Sequence, residues 1–487
     1  MNKPIRTISL FCLLLFLALM VNATYLQYYK AGDLNNDPRN RRVIEASYSR
    51  ERGAILVGRD PVAESVKSDD QYKFQRTYAQ PFKYAPITGY FSYYSQTGIE
   101  QKQNDVLSGD DSLLFVTKLV DLLSNNASKG GSVQLTINPD AQTAAYDGLT
   151  ALGADVQGAV VAIEPSTGKI LALASTPSYD PNKLASHDLT QVSQDYNRLN
   201  QDPREPLQDR AIQTILPPGS TFKLVTAAAA LESGNFNPDS QVPGGTTLDL
   251  PQTTHDLHNE NGSSCGGDRI TLTQALDVSC NVTFGWLGLQ LGDDKLRDQA
   301  EKFGFGQHYL DDLSPQAISR FPDGDVSPPN TALSAIGQYD VAATPLQMAL
   351  ISAGIANGGT VMKPYLVDEV QSPELDVLNK TEPSEFSQAI SSSTARDLTT
   401  MMESVVQNGT GTAAQIPGIP VAGKTGTAQS TPDRPPYAWF TSFAPADDPQ
   451  VAVAVLVQSS STARSEIAGG LLCAPIAKAV MEAVINQ

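Results

Sequence analysis

The sequence predicts an α/β protein built around a largely antiparallel sheet and held outside a membrane by one N-terminal helix. Three observations point there: an uncharged run from Thr7 to Tyr29, a β-type hairpin near residue 160, and three late strand candidates bracketed by helices. At 487 residues the chain has room for two or three folded units with real cores. Hydrophobic residues at 41% and charged residues at 18% describe a globular chain, not a disordered one. With 34 Lys+Arg against 52 Asp+Glu the net charge is −18, the wrong sign for a nucleic-acid binder. Four cysteines are too few to build the fold on disulfides.

The apolar run is centred on Ile8 to Leu17. As a helix it reaches ~34 Å, enough to cross a hydrocarbon core of about 30 Å. Lys3 and Arg6 precede it, so residues 1–6 are expected in the cytoplasm, 7–29 in the membrane and the remainder outside. The rival is a cleaved signal peptide with Val21-Asn22-Ala23 as its cleavage site, but the apolar run is long for that. Residues 30–138 are polar and tyrosine-rich, with Arg52-Gly53-Ala54-Ile55-Leu56 reading as a turn into a strand. They carry no catalytic spacing and are expected to form a spacer or docking domain.

The character changes near Gly158. Ala159-Val160-Val161-Ala162-Ile163 and Lys169 to Ala174 are β-type runs joined by a turn ending in Gly168. Pro217-Pro218-Gly219 leads into Ser220 and an alanine-rich stretch to Leu231, so a helix should start close to Ser220. Thr344-Pro345 reads as an N-cap and first helical position, with the helix running toward Asn357-Gly358. Leu398, Met401, Met402 and Val405 recur at helical spacing. Val421 to Gln429, Ala438 to Ala444 and Val451 to Val457 are strand candidates, and Pro475 to Ile485 closes the chain as a helix.

Ser220 and Lys223 place a hydroxyl and an amine three apart at a helix start, hence on one face. A serine hydroxyl needs a base to become a nucleophile, and a desolvated lysine can serve. Ser166 and Lys169 repeat the spacing inside a hairpin turn, so the pair alone is not decisive. Ser279-Cys280-Asn281 is the second element; Ser124/Asn126 and Ser233/Asn235 share its spacing, and side-chain capping of a turn is the plain alternative. The third, Lys424-Thr425-Gly426-Thr427, occurs once. A strand with a cation, hydroxyls and a glycine permitting close approach can cradle a carboxylate, though a solvated edge strand would look the same.

The order of the three, 59 and 145 residues apart, is more telling than any member. The set resembles that of penicillin-binding proteins and serine β-lactamases. The likeness extends to Gly158 to Asn182, Pro217-Pro218-Gly219, Gln338 with Thr344 to Ala349, Trp439-Phe440, Arg52-Gly53 and Gly98-Ile99-Glu100. On these residues the chain resembles the class B penicillin-binding proteins, especially their actinobacterial branch. The resemblance implies a transpeptidase domain over 139–487, an antiparallel sheet flanked by helices plus an all-α part, preceded by a small α+β pedestal over 30–138. It further implies a D,D-transpeptidase acting on peptidoglycan stem peptides, acylated by β-lactam antibiotics, needing no cofactor and working beside a membrane glycan polymerase.

Carried onto this sequence, the resemblance makes Ser220 the nucleophile and Lys223 the general base. Ser279 relays a proton to the leaving group, and Asn281 holds Lys223 and the donor peptide. Lys424, Thr425, Gly426 and Thr427 bind the donor carboxylate, and the amides of Ser220 and Thr427 form the oxyanion hole.

Cys265 and Cys280, 15 apart on the oxidising side, are expected to form a disulfide bracing the Ser279 loop, with two reduced thiols as the alternative. Cys12 lies in the apolar run and Cys473 is left over. His255, His258, Cys265 and Cys280 are the right residue types for zinc, but match no compact finger, so no metal is expected. Gly262-Ser263-Ser264-Cys265-Gly266 fits the nucleophile-elbow pattern yet sits in a polar loop. Rival functions are a penicillin sensor or catalytically idle cell-wall scaffold, a β-lactamase, and a D,D-carboxypeptidase that differs only in its acceptor. A sensor should bring further spans or a signalling domain, and 30–138 is short for a glycosyltransferase.

Overall fold

The computed structural model describes residues 3–31, 34, 45, 48–114, 129–428, 434–462 and 464–486. Ser124, Asn126 and Gln429 lie outside them. Helix α1 (Lys3–Thr24) continues through a wider turn to Tyr29. This helix of 27 residues, unburied and with an 18-residue stretch of mean hydropathy 2.2, is the one among the described residues long and apolar enough to cross a membrane.

Strands β1 (Ile55–Val57), β2 (Asp60–Lys67) and β3 (Phe74–Tyr78) form an antiparallel meander, and β4 (Ser132–Leu135) pairs with β1 in parallel. Beside them, fully buried Glu100 accepts from Arg52 Nε and Arg76 Nε, each at 2.6 Å, and from the Tyr78 hydroxyl at 3.2 Å. Two guanidiniums on one carboxylate leave the cluster cationic. Arg52 donates further to the Glu100 carbonyl and to Asn104 Oδ1, and Arg76 Nη1 donates to the carbonyls of Arg52 and Gly53, while Arg76 Nη2 is buried without a partner among the described residues.

Asn138 caps helix α2 (Pro139–Thr150), accepting from the amides of Asp140 and Ala141. Then come β5 (Gln157–Ile163) and β6 (Ile170–Thr176), antiparallel as expected. Helices α3 (Lys223–Glu232) and α4 (Asn281–Leu291) belong to a mainly helical lobe with Leu272–Asp277, Asp293–Lys302 and Pro328–Ser334, against which short strands between residues 241 and 271 pack. Helix α5 (Pro345–Ala356) starts at Thr344, whose hydroxyl accepts from Gln347 N at 3.0 Å. After β7 (Val367–Gln371) and β8 (Val377–Lys380), helix α6 (Ser392–Asn408) buries Leu398, Met401, Met402 and Val405. Strands β9 (Ala422–Ala428), β10 (Tyr437–Ala444) and β11 (Val451–Ser459) follow, then helix α7 (Ala474–Ile485).

The central sheet runs β9-β10-β11-β5-β6, every neighbour antiparallel. It is buried on both faces, which is why its strands read as continuous apolar runs. Along β11, Ala452, Ala454 and Leu456 enter the core that holds Leu346, Met348 and Leu350 of α5. Val451, Val453, Val455 and Val457 enter the opposite core with Ala141, Ala145 and Leu149 of α2 and Ile476, Ala477 and Val480 of α7.

The second sheet, β8-β7-β4-β1-β2-β3, draws two of its six strands from residues 367–380. It therefore crosses the 138/139 division that composition suggested. β8 pairs only with the adjacent β7, while β7 takes its other partner, β4, from more than 230 residues away, a pairing that leaves no local signature.

Candidate active site

Four segments converge at the junction of the central sheet and the helical lobe. The first is the tight turn Gly219–Phe222 that delivers the chain into α3. Gly219 sits at φ +53°, and a Cβ there would lie 2.9 Å from the Thr427 carbonyl oxygen, so this position requires glycine. Trp439 Nε1 on β10 donates to the Pro217 carbonyl at 3.0 Å, and the Thr221 hydroxyl donates to Pro218 O at 2.7 Å. The half-buried Ser220 is thereby fixed at the rim, with no protein partner for its hydroxyl among the described residues.

Lys223, one turn on, is fully buried. Its Nζ donates to Ser279 O at 2.7 Å and Asn281 Oδ1 at 2.7 Å, and lies 3.3 Å from Ser279 Oγ. Burial and the neighbouring charge of Lys424 push the amine well below the usual lysine range, with Glu260 opposing. As a neutral amine Lys223 has two N–H donors, which the two short contacts use, and one lone pair free to take a proton.

Ser279 adopts φ +58° at the break between helix Leu272–Asp277 and α4. That left-handed conformation, uncommon for a non-glycine residue, turns the hydroxyl onto both lysines. Lys424 Nζ donates to Ser279 Oγ at 3.0 Å and to Thr425 O at 2.9 Å. Lys424 is also fully buried; burial brings its amine down to about 7, against the pull of Glu260 and Asp277.

Strand β9 is an edge strand, so part of its backbone has no ladder partner and faces the Ser220 turn. A Cβ on Gly426 would lie 2.9 Å from both Pro218 O and Thr221 Cγ2, so this glycine sets how closely the strand approaches the nucleophile. Thr425 is paired with Thr410 through their hydroxyls at 2.6 Å, while Thr427 is half-buried and faces the rim.

Cys265 and Cys280 are disulfide-bonded, with Cα atoms 5.8 Å apart. Their thiolates are thereby unavailable to a metal, which removes the zinc set. Gly262–Gly266 is a loop between two short strands, not the strand–helix turn an elbow needs. Lys169 pairs with Asp368 at 3.1 Å, and Ser233 caps the end of α3, donating to Ala230 O at 2.6 Å. Both spacings are therefore structural. Cys473 is buried and unpaired among the described residues, and burial raises its thiol far above the ordinary range.

Sequence reasoning missed three contributors. Asn259 is buried and accepts from Val282 N at 3.1 Å while donating to Gly245 O at 2.9 Å and Ser263 O at 2.8 Å. Asp277 accepts from the Ser404 hydroxyl at 2.8 Å, and its carbonyl accepts from Thr410 N at 3.1 Å. Thr410 is the third. None lies at a spacing that could announce it, because each acts through another segment.

The penicillin-binding protein transpeptidase domain model matches residues 158–482. The chain belongs to the class B penicillin-binding proteins. A second model, the penicillin-binding protein A dimerisation domain, matches 52–133. The peptidoglycan D,D-transpeptidase PbpA of Mycolicibacterium smegmatis is 42% identical over all of both chains. Its counterpart in Mycobacterium tuberculosis is 42% identical over all of this chain and 99% of its own. Penicillin-binding protein A of M. tuberculosis, solved as a ceftriaxone acyl-enzyme, matches with a TM-score of 0.85 and 41% identity, over 91% of this chain and all of that one. The D,D-transpeptidase domain from Eggerthella lenta gives 0.76 at 33%, over 90% and 99%. Membership of this family agrees with the expected fold class: sheet, helical part, N-terminal α+β region and one apolar helix.

Proposed function

We infer that this penicillin-binding protein is a D,D-transpeptidase that cross-links peptidoglycan stem peptides through an acyl-enzyme on Ser220 and is inhibited by β-lactams. The observation that carries this reading is the buried Lys223 amine, one turn from a free hydroxyl and tied to Ser279 and Asn281. Its lone pair takes the Ser220 proton as Oγ attacks the penultimate D-Ala carbonyl. The amides of Ser220 and Thr427 receive the oxyanion, an arrangement whose single donors are each worth about 10²–10³ in rate. Lys424, with Thr425 and Thr427 beside it on the strand that Gly426 seats, grips the donor carboxylate. When the tetrahedral species collapses, the C–N bond breaks, and Ser279, hydrogen-bonded to both amines, hands a proton to the leaving D-Ala. An acceptor amine then displaces Ser220. The relatives captured with β-lactams are acyl-enzymes, as expected if the drug enters as a donor mimic.

Residues 1–6 are placed in the cytoplasm by Lys3 and Arg6, α1 in the membrane, and the pedestal and transpeptidase regions outside. A membrane glycan polymerase supplying the strands to be joined is the natural partner for an enzyme that makes only cross-links. Intact-mass analysis with a penicillin tests the reading: a stable adduct on wild type and none on Ser220→Ala supports it. Rapid loss of the adduct would make the protein a β-lactamase, and no adduct on wild type would leave it an idle scaffold.

A further inference from the structure

An acceptor amine arrives as a cation, yet the site described so far offers it two buried lysines and no negative charge at the rim. One exposed carboxylate whose charge both lysines feel is a candidate. Glu260 is exposed on the turn that follows His258 and Asn259, and its carboxylate has no hydrogen-bond or ion-pair partner among the described residues. The turn is not loosely placed. The His258 carbonyl accepts from Asn281 Nδ2 at 3.1 Å, and Asn259 Oδ1 accepts from Val282 N at 3.1 Å. The Cys265–Cys280 disulfide closes the far side of the loop. The residue is thus anchored, through its neighbours, to the same segment that carries Ser279. Its charge favours the ammonium form of both Lys223 and Lys424; Asp277, which acts on Lys424 alone, is buried and bound by Ser404.

We propose that Glu260 is the specificity residue for the acceptor, binding the incoming ammonium at the mouth of the site and orienting it toward the acyl carbonyl. The ammonium sheds one proton to solvent. The amine nitrogen then bonds to the acyl carbon, the Ser220 Oγ–C bond breaks, and the second proton passes through Lys223 to Ser220 Oγ. The proposal rests on the transpeptidase reading, and the test separates the two.

The full-length protein would be given an acyl-D-alanyl thioglycolate donor, so that thiol release reads acylation and amide product reads the acceptor step. Two acceptors are compared: Nα-acetyl-lysine amide, cationic, and hydroxylamine, neutral at pH 8. Glu260→Gln should lower amide formation from the lysine acceptor about tenfold through its KM. Acylation should fall no more than about threefold, the hydroxylamine product should fall no more than acylation does, and Glu260→Asp should restore part of the loss. If acylation and both products fall together, Glu260 acts only through the lysines. If lysine-amide formation is unchanged, it has no acceptor role. Either result overturns the proposal while leaving the wild type an acylating transpeptidase, whereas a wild type that releases no thiol overturns the function itself.

Discussion

Two amines share one hydroxyl at the centre of the site, and their charge states govern its pH behaviour. Acylation needs Lys223 neutral and Lys424 charged, so its rate should trace a bell whose limbs belong to the coupled pair. The falling limb is expected near pH 7 in the free protein, where the buried Lys424 gives up its proton. Asp277 favours the ammonium form of Lys424, so Asp277→Asn should move that limb to lower pH. A pH profile of penicillin acylation for both proteins checks this, and an unmoved limb would remove Asp277 from the site. Stability carries the same signature. Folded Lys424 releases its proton at about 7, while an unfolded lysine holds it to about 10.4, so in between the unfolded chain binds more protons. Unfolding free energy should therefore rise with pH across that window, and urea titrations at pH 7 and 9 should show a smaller rise for Lys424→Met.

At the scale of elements, two devices hold the convergence together. The disulfide closes a loop of 15 residues, worth ~3 kcal/mol in the chain-entropy account. Cys265→Ser/Cys280→Ser should lose about that in urea unfolding and slow acylation further by freeing the Ser279 segment. Gly426→Ala forces a methyl against Pro218 O and Thr221 Cγ2. Acylation should drop at least tenfold, with far-ultraviolet circular dichroism unchanged, because β9 must retreat from Ser220 while its ladder with β10 survives. Most elements were legible because their information is local. Thr344-Pro345 announces α5, and the spacing of Leu398, Met401, Met402 and Val405 announces α6. The motif residues were legible as a set, through their order. The strand β7 and the anchoring roles of Asn259 and Asp277 were not, since what defines them is a partner far away in sequence, and the four-residue β8 has no partner but β7.

The whole molecule depends on how its N-terminal region is tied in. Glu100 is the carboxylate paired with two buried guanidiniums, so Glu100→Ala strands both cations in the interior at a cost of about 3–5 kcal/mol. A loss of that size, measured by thermal unfolding of the detergent-solubilised chain, should appear even though the cluster includes none of the motif residues. Acylation per folded molecule should hold. The two-sheet arrangement has a practical side as well. A shortened chain beginning at residue 139 would retain every group that touches donor or drug, yet it would strip Val367–Gln371 of its neighbour Ser132–Leu135 and leave a raw flank of backbone amides and carbonyls. The truncation most natural to draw from the primary structure would be the one that self-associates in the tube.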